Sequence, residues 1–275
     1  MKTIIAPTDF SPISLNAVNY AADLASVVDA NLTLLHVCQI PITISEVPVP
    51  EYGITELIKN AERQISLLKD NITRRIGKKI AINYEVKLGN IVDEISSYCN
   101  ATDVYAVVMG GESSGAFERI LLGAKTISVI DDLVWPVLVV PIEAKFSGIT
   151  KIGLACDLVD VAETVPDNDI RTLVKQFNAE LHIINVVTEF DMKHSTMMKE
   201  ESKVLQSMMR GLNARYHYLQ GSNIEKEVME FAERKKIDLL IVIPKKHTLI
   251  SKLFQKSHTK KIVLQTHIPI MSIHE

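Results

Sequence analysis

Val107-Val-Met-Gly-Gly-Glu-Ser-Ser-Gly-Ala-Phe-Glu-Arg-Ile-Leu-Leu-Gly-Ala-Lys-Thr126 decides the fold. It leaves an apolar run, crosses a loop of small residues and enters a helical pattern. In that arrangement backbone N–H groups and the helix dipole converge on an anion, most often a phosphate. The stretch therefore reads as a nucleotide-phosphate cradle, held by backbone more than by side chains. Glycines alone leave a second reading open, in which Gly110, Gly111, Gly115 and Gly123 only make a surface turn.

Working outward, the strand that feeds this loop is Asp103 to Met109, and the helix behind it runs through Ile127 and Ile130. Thr3-Ile-Ile-Ala-Pro7 is a short apolar run of the kind found in buried parallel strands. Ser11 followed by Pro12 is an N-cap with proline at the first helical position. Leu15, Val18, Ala22, Ala25 and Val28 then recur at helical spacing, so a helix is expected from Ser11 to Val28. Asp9 falls at the carboxyl end of the first strand, the edge where open α/β sheets bind ligands. A carboxylate there suits a ribose hydroxyl or an adenine amino group; as a turn or capping aspartate it needs no ligand.

The second strand is Asn31 to Val37, with His36 read as a packed core or edge residue. Gln39 to Tyr52 contains Pro41, Pro48 and Pro50 and reads as a loop able to fold over a site. Thr55 to Ile76 is a long amphipathic helix, Ala81 to Leu88 an edge-like strand, and Gly89-Asn90 opens a helix to about Cys99. Trp135 to Pro141 is a last strand. Five strands alternating with helices imply a doubly wound parallel sheet of order 3-2-1-4-5. That order sets Asp9 and the Gly110 loop on the same crevice, at the topological switch point.

The pattern then repeats. Beyond a linker at Phe146-Ser-Gly148, Lys151 to Asp157 parallels Lys2 to Asp9, and Ala179 to Val186 matches Ala30 to Val37. Asn223-Ile224 matches Asn90-Ile91, Asp238 to Ile243 matches the strand from Asp103, and Ile268-Pro269 matches Trp135-Pro136. Two tandem domains of one α/β fold are expected, over 1–145 and 149–275. In the second, Ile243-Pro244-Lys245-Lys246 replaces Met109-Gly110-Gly111. Proline has no N–H and side chains block close backbone approach, so this copy is not expected to hold a nucleotide in the same way. The lysines between Lys245 and Lys261 read as a solvated basic surface. Met192, Met197, Met198, Met208 and Met209, with His194 and His217 nearby, read as core or interface filler rather than a soft-metal site.

At 275 residues with a formal charge of -3, the chain shows no electrostatic case for nucleic acid or an anionic membrane. Cys38, Cys99 and Cys156 stand apart without a C-x-x-C pair, which fits a reducing cytoplasm. No signal-peptide pattern opens the sequence, and no apolar run approaches the ~18–20 residues of a membrane span. Neither a Ser-His-Asp constellation nor a metal-ligand cluster nor a P-loop lysine argues for catalysis.

Pro7-Thr-Asp-Phe-Ser11, Leu35-His-Val37 and Gly110-x2-Ser113-x9-Gly123-Ala124 ahead of Pro136-Val-Leu-Val-Val140 together resemble the universal stress protein family, in a tandem two-domain form. Its ATP-binding members carry G-x2-G-x9-G-[ST]. The spacing is kept here, while Ser113 stands at the second glycine and Ala124 at the final hydroxyl residue. The resemblance implies ATP or AMP bound by Pro7, Thr8, Asp9, Val37, Met109, Gly110, Ser113, Gly123, Ala124 and Lys125. Asp9 would contact ribose or adenine, the Val37 backbone would read the adenine edge, and Gly110, Gly123, Ala124 and Lys125 would surround the phosphates. It also implies pairing through last strands, made internally in a tandem chain by Val137–Val140 and Ile270–Ile273, with a further homodimer open. The function expected is a stress response carried by conformation or partner binding, with at most weak ATP hydrolysis. The alternative is an interaction module independent of nucleotide, motivated by Ser113 and Ala124.

Overall fold

Ser11 caps the first helix as its position predicts. Its Oγ accepts the Ser14 N–H at 3.2 Å, and Pro12 opens α1 (Pro12–Val28). Asp29 ends α1 in the left-handed region at φ 54°, returning its N–H to Ala25. Asn90 and Asn223 cap two further helices in the same manner, accepting the N–H of Val92 at 2.8 Å and of Lys226 at 3.0 Å. The computed structural model describes residues 1–39, 51–77, 79–111, 129, 133–187, 195–244 and 267–275. They divide into two compact units, with the changeover between Phe146 and Ser147.

The first unit contains β1 (Thr3–Pro7), α1, β2 (Asn31–Cys38), α2 (Glu51–Ile76), β3 (Ile82–Leu88), α3 (Ile91–Asn100), β4 (Val104–Gly111) and β5 (Val137–Pro141). Its strands lie in the order β3-β2-β1-β4-β5. β1 pairs parallel with β2 and with β4, and β2 pairs parallel with β3. β1 and β5 are buried along their whole length, as strands covered on both faces should be, whereas β3 at the edge is partly exposed. Ile4, Ile5, Leu32, Leu34 and Leu35 of the sheet and Ile65, Ile72 and Ile95 of the helices are fully buried. Each such side chain contributes about 1.5–3 kcal/mol of transfer free energy.

The second unit repeats this plan with β6 (Lys151–Ala155), α4 (Val161–Thr164), α5 (Asp167–Phe177), β7 (Glu180–Val187), α6 (Ser195–Met208), β8 (Arg215–Gln220), α7 (Ile224–Lys235), β9 (Leu239–Val242) and β10 (Ile270–Ser272). Its strand order is β8-β7-β6-β9-β10, the same 3-2-1-4-5 winding, with parallel pairing of β6 to β7 and β9, β7 to β8, and β9 to β10. The fold class is therefore α/β, each unit contributing five strands in the same doubly wound order. α4 and α5 together take the place of α1, broken near Pro166, and α1 and α5 end alike in a left-handed residue, Asp29 and Asn178.

Three boundaries differ from the sequence reading. α2 starts at Glu51, four residues before Thr55, and runs through Gly53, which helix propensity disfavours. β4 runs to Gly111, two residues past Met109, because Gly110 takes part in the strand instead of opening the loop. The repeat register also shifts by one at the first strand. Lys151 stands opposite Glu180 as Thr3 stands opposite Asn31, so Thr3, not Lys2, is the counterpart of Lys151. Pairing hydrogen bonds set strand register; a matching lysine at an exposed strand entrance does not. The helix expected through Ile127 and Ile130, the loop from 40 to 50, and the lysines from Lys245 to Lys261 lie outside the described residues.

Candidate functional site

The turn Thr8-Asp9-Phe10-Ser11 at the carboxyl end of β1 is held by a closed set of hydrogen bonds. The Thr8 N–H donates to the Leu35 carbonyl at 2.9 Å, continuing the ladder one residue past β1. Thr8 Oγ1 accepts the Phe10 N–H at 3.0 Å and meets Ser14 Oγ at 3.0 Å, and Thr8 is 5% exposed. Asp9 Oδ1 accepts the Ser11 N–H at 3.0 Å, an Asx turn leading into α1. His36 on β2 brings Nδ1 to 2.7 Å from the Thr8 carbonyl, and its ring stacks on Phe10 with centroids 4.7 Å apart. Phe10 is held at φ 64°, a region that bulky residues avoid.

This frame presents the Asp9 carboxylate at the surface while Pro7 and Thr8 beneath it are buried. Burial pushes the Asp9 carboxyl up, but hydrogen bonds from Ser11 and Ser14 outweigh it and hold the group below its ordinary range. Asp9 is therefore an ionised acceptor at neutral pH. Strand alternation completes the edge. Leu35 faces β1 through its carbonyl, so Val37, two residues on, turns its N–H and C=O the same way, where β1 has given way to the turn. Asp9 and the Val37 backbone thus lie at the same carboxyl edge of the sheet and line the same cavity.

Gly110 stands on the other flank of β1. A Cβ there would lie 2.5 Å from Ile13 Cγ2 and 2.8 Å from the Ile13 carbonyl oxygen. The bare Cα lets β4 pass directly beneath the first turn of α1, so this glycine has a packing role whatever it binds. Met109 beside it is buried. Ser113, Gly123, Ala124 and Lys125 lie outside the described residues.

A cavity of ≈ 710 Å³ opens between the turn and α2. Asp9, Phe10, His36, Val37 and Cys38 line one side, and α2 contributes Glu56, Asn60 and Gln64 on the other. Sequence reasoning missed this α2 face. Its i, i+4, i+8 spacing was legible, but a polar stripe on an amphipathic helix reads as solvated surface until the fold turns it toward a crevice. His36, read as a packing residue, both ties the turn to β2 and lines the cavity.

The second unit keeps the turn but buries its carboxylate. Cys156 N–H donates to the Ile184 carbonyl at 3.0 Å, Asn185 Nδ2 donates to the Cys156 carbonyl at 2.9 Å, and Leu158 sits at φ 55°. These reproduce Thr8, His36 and Phe10 position for position. Asp157 Oδ1 accepts the Val159 N–H at 3.2 Å, as Asp9 accepts that of Ser11. Yet Asp157 is only 6% exposed. α4 follows the turn and packs against α6, and Glu201 Oε2 of α6 accepts the Val161 N–H at 2.8 Å. The first turn of α1 stands in the same place in the first unit, where the Asp9 carboxylate stays exposed.

Among the described residues no group of three or more His, Cys, Asp or Glu is disposed to hold a metal ion, and no helix is long and apolar enough to cross a membrane. Cys38, Cys99 and Cys156 are buried and none is in a disulfide, and burial pushes the Cys99 thiol up to about 12.

A family model described as the universal stress protein family matches residues 1–141. A universal stress protein of Methanocaldococcus jannaschii is 32% identical over 147 residues, covering 50% of this chain and 81% of that one. In solved structures, a universal stress protein from Archaeoglobus fulgidus matches 99% of this chain and 98% of its own, with TM-score 0.74 and 20% identity, a likeness of fold. A universal stress protein crystallised in complex with cAMP matches 50% of this chain and 96% of its own, with TM-score 0.38 and 19% identity.

Proposed function

Since the chain belongs to the universal stress protein family, we propose that its first unit binds an adenine nucleotide, ATP or AMP, and that the protein acts in the cytoplasm through conformation or partner binding rather than turnover. The observation that carries this reading is the ionised Asp9 at the carboxyl edge of β1, beside the inward-turned backbone of Val37 and above a cavity of nucleoside size. Asp9 accepts from the ribose hydroxyls, Val37 reads the adenine edge, and the phosphates lie toward the loop that follows Gly110. Pro7, Thr8 and Met109 support these contacts from beneath, and Ser113, Gly123, Ala124 and Lys125 would surround the phosphates. The chain is a tandem of two universal-stress-type domains, of which the second serves as a scaffold or interaction face.

Calorimetric titration of the full chain with ATP, ADP and AMP tests this, with Asp9→Ala as the comparison. Saturable binding weakened about tenfold or more in the variant supports it, on the scale of a lost charge-assisted hydrogen bond. Equal binding by both proteins removes Asp9 from the site. A second reading is favoured by Ser113 and Ala124, which replace a nest glycine and a phosphate-binding hydroxyl: the protein is an interaction module that responds to no nucleotide. Absence of binding by all three nucleotides at millimolar concentration selects it.

A further inference from the structure

The charge of the cavity is one-sided. Among its described lining residues Asp9 and Glu56 are acids and none is Lys or Arg. The intervening segment 40–50, Ile-Pro-Ile-Thr-Ile-Ser-Glu-Val-Pro-Val-Pro, adds Glu46 and no base to the chain that leads into α2. Opposite Asp9, Glu56, Asn60 and Gln64 lie along α2 at i, i+4 and i+8, so one carboxylate and two carboxamides form a row on a single helix face. Carboxamides pair with hydroxyl, amine and ring-nitrogen edges, and carboxylates accept from hydroxyl and amine donors. A phosphate offers no donor at neutral pH and repels both acids.

We propose that this α2 row makes the cavity selective for a ligand end that is uncharged and rich in hydroxyl or amine donors, and that Glu56 is the residue that turns away a phosphate carried there. The inference rests on the nucleotide reading and deepens it. A nucleotide enters with its unmodified ribose and base facing α2, and phosphorylation on the 3′ side of the ribose is rejected while extension of the 5′ phosphate chain is tolerated. Like charges several ångströms apart in a partly solvated crevice account for a discrimination of about tenfold at physiological salt.

Three probes separate the possibilities on the full chain: AMP, ADP and adenosine 3′,5′-bisphosphate. The last two each add one phosphate to AMP, on opposite sides of the ribose. Wild-type protein is expected to bind AMP and ADP within about threefold of each other and the bisphosphate about tenfold more weakly. Glu56→Gln should narrow that gap, and Glu56→Lys should close or reverse it, read as the ratio of AMP to bisphosphate affinity within each variant. Asn60→Leu with Gln64→Leu should weaken AMP and the bisphosphate together, since these carboxamides contact the neutral end. Thermal unfolding of each variant confirms that α2 is intact before affinities are compared. Equal binding of AMP and the bisphosphate by wild-type protein, or an unchanged ratio in Glu56→Lys, overturns the selectivity while leaving the nucleotide site standing. Failure of all three probes to bind removes the nucleotide reading, and the selectivity with it.

Discussion

Gly110 has no room for a methyl group. Its Cβ would meet the Ile13 backbone, which cannot swing aside as a long side chain can. Gly110→Ala should therefore lower stability by about 1–3 kcal/mol in urea titration, before any ligand is added. In the second unit, a pair of stacked histidines gives a residue-scale prediction of another kind. His182 is 2% exposed; its Nε2 lies 2.7 Å from Glu180 Oε1, and its Nδ1 lies 3.0 Å from His217 Nε2. A carboxylate at that distance favours the tautomer with the His182 proton on Nε2, so Nδ1 accepts and His217 Nε2 donates. With both rings neutral, His182 Nδ1 accepts from His217 Nε2, and a proton on His182 Nδ1 would set two N–H groups face to face.

Desolvation pushes His182 down, with Glu180 opposing and Arg215 and Lys151 assisting. Desolvation likewise pushes His217 down, helped by His182, Lys235 and Arg215. Because the folded rings take up protons only below the ordinary imidazole range near 6.5, the unfolded chain binds more protons as pH falls through that range. Stability contributed by the pair is thus complete above about pH 6.5 and is lost below it, by at most about 1.4 kcal/mol per pH unit for each ring. His217→Gln keeps a donor toward His182 and removes one titrating ring, so the acid slope should fall by about half. An unchanged slope in urea melts from pH 7.5 to 5 would assign the acid sensitivity elsewhere.

At the scale of elements, the joints that hold strand ends together are side-chain contacts, and these explain what could be read in advance. Asp238 Oδ2 accepts from the N–H of Thr150, the hydroxyl of Thr150 and the N–H of Lys151 at 2.8, 2.8 and 2.9 Å, fastening the entrance of β6 to that of β9. Asp238→Ala leaves those donors to water and should cost the second unit about 2–3 kcal/mol in thermal or urea unfolding. Strands and helices were legible because Ile4-Ile5 and Leu32 to Leu35 are continuous apolar runs, and Ser11-Pro12 is a start signal that propensity and capping both support. Asp9 was legible as an edge carboxylate for the same reason, since the strand that precedes it is unambiguous. α4 was not: Val161 to Thr164 is too short to show a period, and only its packing against α6 gives it meaning. The α2 row of Glu56, Asn60 and Gln64 escaped notice because polarity on a helix face is the same signal whether it meets water or a cavity.

At the scale of the molecule, the two units share a winding and a strained turn but differ in access. Phe10 and Leu158 keep the same left-handed conformation, and Asp9 and Asp157 make the same Asx turn. In the first unit the turn borders an open cavity and Asp9 is exposed, whereas in the second Asp157 is only 6% exposed. Because the second turn buries its carboxylate, the proposed nucleotide site is expected once per chain, not twice. The measurement that tests this most directly is the stoichiometry of ATP, ADP and AMP binding to the full chain by calorimetry, with Gly123→Asp as the control. The account predicts one saturable site per chain, abolished by an acid at the position proposed to face the phosphates. Two equivalent sites, binding that survives Gly123→Asp, or no binding up to millimolar nucleotide would contradict it.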